Sequence, residues 1–351
     1  MKLLIFFGII FLLPFIFLKK KDNDDVLDKD TSLFIKGILC LFVMLHNLGL
    51  DYLHTNFDKT TFKGFLWITE SITESTGGVA VGVFFFLSAF GLIISYKKNG
   101  NGFLKKLLFK NTIKLYLVAV GINLLEYFTF FRNSFEKKDA ILRILNLDLF
   151  NNFNRINRHG WFIATLLALY LLFILIFFII SKTKIKRKVE VSSFIIIGIA
   201  LLCKLLSMIF DNGGMYTREL PCFAIGIFYG LYKDKINIIL KRFYYPILVI
   251  CLLGYAIGLM HYEPVAAWSI CVMIPTFLTK HAFKSNIISL LGKSCLGVYL
   301  FLHFSTLVLA QYFINNVWYW ILINAGFIFV LTIILEFILY IISKSFEKIK
   351  F

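Results

Sequence analysis

The sequence predicts an all-α, polytopic membrane helix bundle, and three observations carry that reading. The 351 residues are 59% hydrophobic and only 16% charged, whereas soluble domains carry roughly a quarter of their residues as charge. The apolar residues fall in long uninterrupted runs rather than in the alternating stripes of a soluble core. The basic residues sit in short clusters between those runs, where membrane topology places them. The net charge of +17 therefore reads as topology, and nucleic acid is rejected as a partner.

Eleven spans follow in order, or ten if a short one does not cross: 3–18, 33–50, 79–96, 113–131, 161–181, 191–210, 219–232, 244–260, 265–279, 296–314 and 317–342. The first ends directly in Lys19-Lys20-Lys21 and lacks a small-residue cleavage site, so it reads as a retained helix. With residues 1–32 taken as this helix and a cytoplasmic linker, the remainder, 33–351, forms one membrane domain. The short runs 219–232 and 265–279 are expected to cross despite falling below the roughly 20 residues that span hydrocarbon.

Alternating the connecting segments, with the N-terminus outside, puts 25 Lys and Arg on the inner side and 10 on the outer. This positive-inside bias places the C-terminus in the cytoplasm of a multi-pass cell-membrane protein. Two outer segments, 51–78 and 132–160, are polar and long. The six cysteines form no CxxC pair and lie in or beside apolar runs, which suits small buried side chains and not a disulfide framework or zinc site.

The segment Phe34 to Leu50, FIKGILCLFVMLHNLGL, sets the functional question. Lys36 lies near its inner end, and His46 lies about 15 Å further along at 1.5 Å per residue. Snorkelling explains Lys36 alone, and an interfacial position explains His46 alone. An ionisable group inside a span is nevertheless a functional candidate by default. No His, Asp and Glu cluster has metal-ligand spacing, so no metal is expected.

The segment resembles the first helix of the acyltransferase 3 family, integral-membrane O-acyltransferases of surface polysaccharides, whose signature is a basic residue, ten residues, then His. Further pieces follow in family order: GVFFFLSAFGLIISY (Gly82 to Tyr96), KNTIKLY (Lys110 to Tyr116), HGWFIATLLALY (His159 to Tyr170), LPCFAIGIFYG (Leu220 to Gly230) and LGKSCLGVYLFLH (Leu291 to His303). Two departures stand out. Nine residues, not ten, separate Lys36 from His46, so Asn47 occupies the usual His slot. At about 100° per residue, Asn47 falls within about 20° of the Lys36 face and His46 misses it by about 80°. Ala89 replaces the usual Gly after Ser88.

The resemblance implies transfer of an acyl group, acetyl above all, from acetyl-coenzyme A or another acyl-coenzyme A to a hydroxyl of a surface glycan or lipid-linked saccharide. No tightly bound cofactor is implied. His46 is then the candidate base, since imidazole titrates near neutrality. Lys36 contacts the donor's phosphates or polarises its thioester. Lys110 and Lys114 are candidates for the same phosphates, or plain inner-side charge. Ser88, Trp161, Tyr299 and His303 are candidates for the acceptor path; the structural alternatives are a back-bonded hydroxyl, an interfacial aromatic and interhelical hydrogen bonds. Tyr299 and His303 stand one turn apart on a shared face. Glu126, Lys204 and Glu336 are further charges within apolar runs, without assigned partners. A flippase for a lipid-linked saccharide, and a non-catalytic envelope-assembly partner, are the competing readings.

Overall fold

The computed structural model describes residues 2–20, 26–56, 65–147, 156–210, 214–310 and 317–348. Each of the eleven apolar runs is helical over most of its described residues; 311–314 of the run 296–314 lie outside them. The helices are α1 (Lys2–Ile16), α2 (Lys29–Asn56), α3 (Phe65–Asn99), α4 (Asn101–Phe131), α5 (Lys137–Ile144), α6 (Gly160–Ser181), α7 (Lys188–Ile209), α8 (Leu220–Arg242), α9 (Tyr244–His261), α10 (Glu263–Leu278), α11 (Asn286–Lys293), α12 (Cys295–Leu309) and α13 (Val317–Lys348), with a single turn at Gly214–Thr217.

Among the described residues, six helices are long and apolar enough to cross a membrane: α2, α3, α4, α6, α7 and α13. Two bent pairs add up to two more. The pair α8 and α9 turns through 95°, and α11 and α12 turn through 67°. The expected spans 219–232 and 244–260 thus form one of these broken pairs, and 265–279 corresponds to the 16-residue α10.

Local signals explain the boundaries. Asp28 starts α2, its Oδ1 accepting the Thr31 amide at 2.7 Å. Gly100, at φ 56°, takes the positive-φ conformation that ends α3 and lets α4 begin. Pro221 and Pro264 occupy first-turn positions of α8 and α10, where no amide is needed. Ser285 caps α11 by accepting the Ile288 amide. In α4 a π-helical turn spans Leu107–Thr112, and the Thr112 hydroxyl donates to the Leu107 carbonyl five residues back at 3.0 Å.

The expected outer segments are more helical than their polarity suggests. α2 continues to Asn56 and α3 begins at Phe65, so only 57–64 of the segment 51–78 lies outside the described residues. Ser, Thr and Glu permit helix where a neighbouring apolar run has already nucleated it. Within 132–160, α5 forms, and 148–155 lie outside the described residues.

The chain divides into two compact units. The first comprises Met1–Lys19, Asp28–Gly77 and Ala282–Phe351; the second comprises Lys20–Leu27 and Gly78–His281. In the first, α2 packs on α1, α11, α12 and α13. Glycines set the closest approach. A Cβ at Gly37 would strike the Ile288 backbone, and one at Gly292 would strike the Leu33 carbonyl. Phe34, Ile38 and Ile288 centre an apolar cluster, with Phe34 stacked on Phe283 at 5.1 Å. A two-stranded ribbon of Leu18–Lys20 with His281–Phe283 closes its edge.

In the second unit α8 packs against α7 and α10, and α6 against α7 and α4. The span Thr76–Asn99 of α3 is 83% buried, whereas α7 and the span in α13 are only 22% buried. α3 is therefore a central helix, and the other two turn most of their apolar surface outward, as lipid-facing helices do. The departure at Ala89 costs no packing distance. Gly226 on α8 lies against the Phe86 carbonyl and the Ala89 methyl, so the missing side chain comes from the opposite helix.

Candidate functional site

The eight residues singled out by sequence fall into both units. Lys36, His46, Tyr299 and His303 belong to the first, on the packed helices α2 and α12. Ser88, Trp161, Lys110 and Lys114 belong to the second.

In the first unit, α2 presents Lys36, His46 and Asn47, all half-buried. The Asn47 amide nitrogen donates to the Val43 carbonyl at 2.8 Å. Its amide is spent on its own helix, as short polar side chains in helices commonly are. The His46 imidazole lies over Gly77: a Cβ built there would fall on the ring, with His46 Cγ, Cδ2 and Nε2 its three nearest atoms. Lys36 and Glu336 both act electrostatically on Cys295, the first residue of α12, and Cys295 acts on Cys40. This places the otherwise unassigned Glu336 in the electrostatic neighbourhood that Lys36 also enters.

A polar chain fixes the C-terminal half of α2 against α12 and α13. The Trp320 indole N–H donates to the Leu48 carbonyl at 2.8 Å, two residues beyond His46. The Asn324 amide donates to the Trp320 carbonyl at 2.8 Å, and the Ser305 hydroxyl donates to Asn324 Oδ1 at 2.6 Å. Ser305 and Asn324 are fully buried. A buried network with its members satisfied rigidifies the elements it joins. Tyr299 is buried and His303 half-buried on the same α12.

In the second unit Ser88 is half-buried on α3, and Trp161 is buried at the start of α6, against the edge of Phe162. Trp161 is thus a packed residue of the unit and not a surface aromatic. Its helix is held from below by a bond series that sequence reading did not foresee. Glu126, fully buried on α4, accepts from the Asn157 amide at 2.9 Å, and Asn157 Oδ1 accepts the His159 amide at 3.0 Å. Asn123 donates to the carbonyls of Arg143 and Ile144, docking α5 on α4. Lys204 stands over the Tyr262 ring at 5.7 Å. Lys110 and Lys114 are exposed on α4, with Lys110 inside the π-helical turn.

Sequence reasoning also missed an ion triad. Arg218 lies 2.9 Å from Glu219 through Nε, and 3.1 Å from Glu263 through Nη1. Glu219 is completely buried at the foot of α8. Arg218 offsets the cost of burying the Glu219 carboxylate. Cys222 donates to its Oε2 at 3.6 Å. Gly78 and Gly82 make the room: a Cβ at Gly78 would strike Glu263, and one at Gly82 would come 2.9 Å from Glu219. The signal in the sequence was an acid within two residues of a helix-initiating proline in both RELP and YEP, easily read as loop charge.

No curated protein and no solved structure matches the chain. A family model does, the acyltransferase domain model of the acyltransferase 3 family, over residues 33–341. The match spans nearly the whole chain and every helix from α2 to the body of α13, so the protein is a membrane acyltransferase belonging to the acyltransferase 3 family.

Proposed function

We propose that this acyltransferase moves an acetyl group from acetyl-coenzyme A to a hydroxyl of a surface polysaccharide or of its lipid-linked precursor. The observation that supports it is the first unit's grouping of Lys36 and His46 on α2 with Tyr299 and His303 on α12. His46 serves as the base, because Asn47 has no proton-accepting nitrogen and its amide is already bonded to Val43.

The acceptor hydroxyl gives its proton to His46 as its oxygen attacks the thioester carbonyl. The tetrahedral intermediate collapses, the C–S bond breaks, and the imidazolium returns the proton to the departing thiolate. Lys36 steadies the carbonyl oxygen or a donor phosphate. Tyr299 and His303, on the same unit as His46, line the acceptor path. In the second unit, exposed Lys110 and Lys114 are candidates for binding phosphate, and Ser88 and Trp161 for binding saccharide. In this reading the N-terminus is outside, the C-terminus is cytoplasmic, and the protein is multi-pass in the cell membrane.

Saccharide translocation is favoured by one feature, the two bent helix pairs. Family membership favours acyl transfer. The test is the purified protein in detergent with acetyl-coenzyme A labelled on the acyl carbon. Label is expected in a base-labile ester on an added glycan acceptor, or released slowly as acetate. Label retained on coenzyme A, with a lipid-linked saccharide crossing proteoliposomes instead, would contradict the proposal.

A further inference from the structure

We infer that Gly77 is a positioning residue: the side chain it lacks is the seat of the His46 imidazole. The inference deepens the reading of His46 as base and rests on it. Both residues lie in the first unit. Gly77 is buried in the body of α3, and the volume its Cβ would take is filled by one side chain alone among its nearest neighbours, the His46 ring. Other glycines are different. Those at 37, 226 and 292 face backbone, whereas Gly91, further along α3, faces nothing within 4 Å.

The geometry makes the ring's position depend on this one missing methyl. A Cβ at residue 77 would stand 2.5 Å from His46 Nε2 and closer still to Cδ2 and Cγ, where ordinary contact begins at 3.4 Å. The ring would retreat by about 1 Å, a misplacement that costs on the order of 100-fold when the group is a catalytic base. What must yield is the end of a two-torsion side chain, not backbone. The seat also answers the face problem in α2. His46 points about 80° away from Lys36, and the bare backbone of α3 at Gly77 gives the ring a defined place there.

The experiment compares Gly77→Ala, Gly91→Ala, His46→Ala and the double variant in detergent with acetyl-coenzyme A. Gly77→Ala is expected to lower kcat about 100-fold, leave KM for acetyl-coenzyme A unchanged, and alter the pH–rate profile; Gly91→Ala is expected to do none of these. In thermal unfolding, Gly77→Ala is expected to lower the midpoint in the wild-type background and not in the His46→Ala background, where the emptied seat accepts the methyl. Wild-type kcat and an unmoved pH profile in Gly77→Ala, beside an inactive His46→Ala, would overturn the seat and leave His46 as base. An equal loss of midpoint in both backgrounds would overturn the seat as well. Full activity in His46→Ala would remove the base reading and the inference with it.

Discussion

At the scale of single residues, the sequence posed a question that helical geometry alone could not answer. Asn47 stands on the Lys36 face, and His46 does not. The structure adds two contacts that no spacing rule contains: the Asn47 bond back to Val43 and the His46 ring over Gly77. The roles of Gly77 and Gly78 come from what stands opposite them, which is tertiary information. The same is true of Glu219, whose burial is invisible in RELP. Glu219→Leu leaves Arg218 beside a single remaining carboxylate, Glu263, and should lower the thermal midpoint. An unchanged midpoint would contradict a structural role for the triad.

At the scale of elements, hydropathy runs located eleven of the thirteen helices among the described residues, because a helix satisfies its own backbone in hydrocarbon, and missed the short α5 and α11. Their ends were less legible. α8 runs on to Arg242 through a break at Tyr232, where the backbone leaves helical geometry (φ −116°). The Lys97 ammonium donates there to the Gly230 and Leu231 carbonyls at 3.0 and 2.6 Å. A lysine read as inner-side charge is thus a cap for freed carbonyls, and only the partner helix reveals it. The bends fall at Phe243 and Ser294, with Pro246 in the first turn of α9 and Gly292 at the end of α11 as the nearby breakers, signals that mark a helix boundary without telling a bend from a new span. The pairing of α2 with α11 yields a prediction at this scale. Gly37→Ala and Gly292→Ala each force Cβ onto backbone atoms that cannot step aside. Each should cost about 1–3 kcal/mol of stability. Gly121→Ala, which meets nothing within 4 Å, should not. Equal unfolding midpoints for all three variants would show that glycine contact does not set this approach.

At the scale of the whole molecule, composition and charge placement sufficed for the class, and ordered motifs sufficed for the family. The number of crossings was less legible, since length and hydropathy cannot distinguish two spans from one broken span. The positive-inside reading gives a definite expectation. In a cysteine-free background, Cys at position 134 should react with a membrane-impermeant thiol reagent added from outside, and Cys at 184 only from the cytoplasm. Cys at 235 should also react from the cytoplasm if α8 and α9 each cross. A position 235 shielded from both sides would mean that the 95° pair is one broken span.

In the proposed reaction the imidazole of His46, and not the family slot filled by Asn47, takes the acceptor's proton. Steady-state acyl transfer by His46→Ala and Asn47→Ala, purified side by side, tests it most directly. His46→Ala should lose at least about 100-fold in kcat, with Asn47→Ala within about twofold of wild type, as expected for a side chain bonded only to its own helix. An active His46→Ala beside an inactive Asn47→Ala would contradict it.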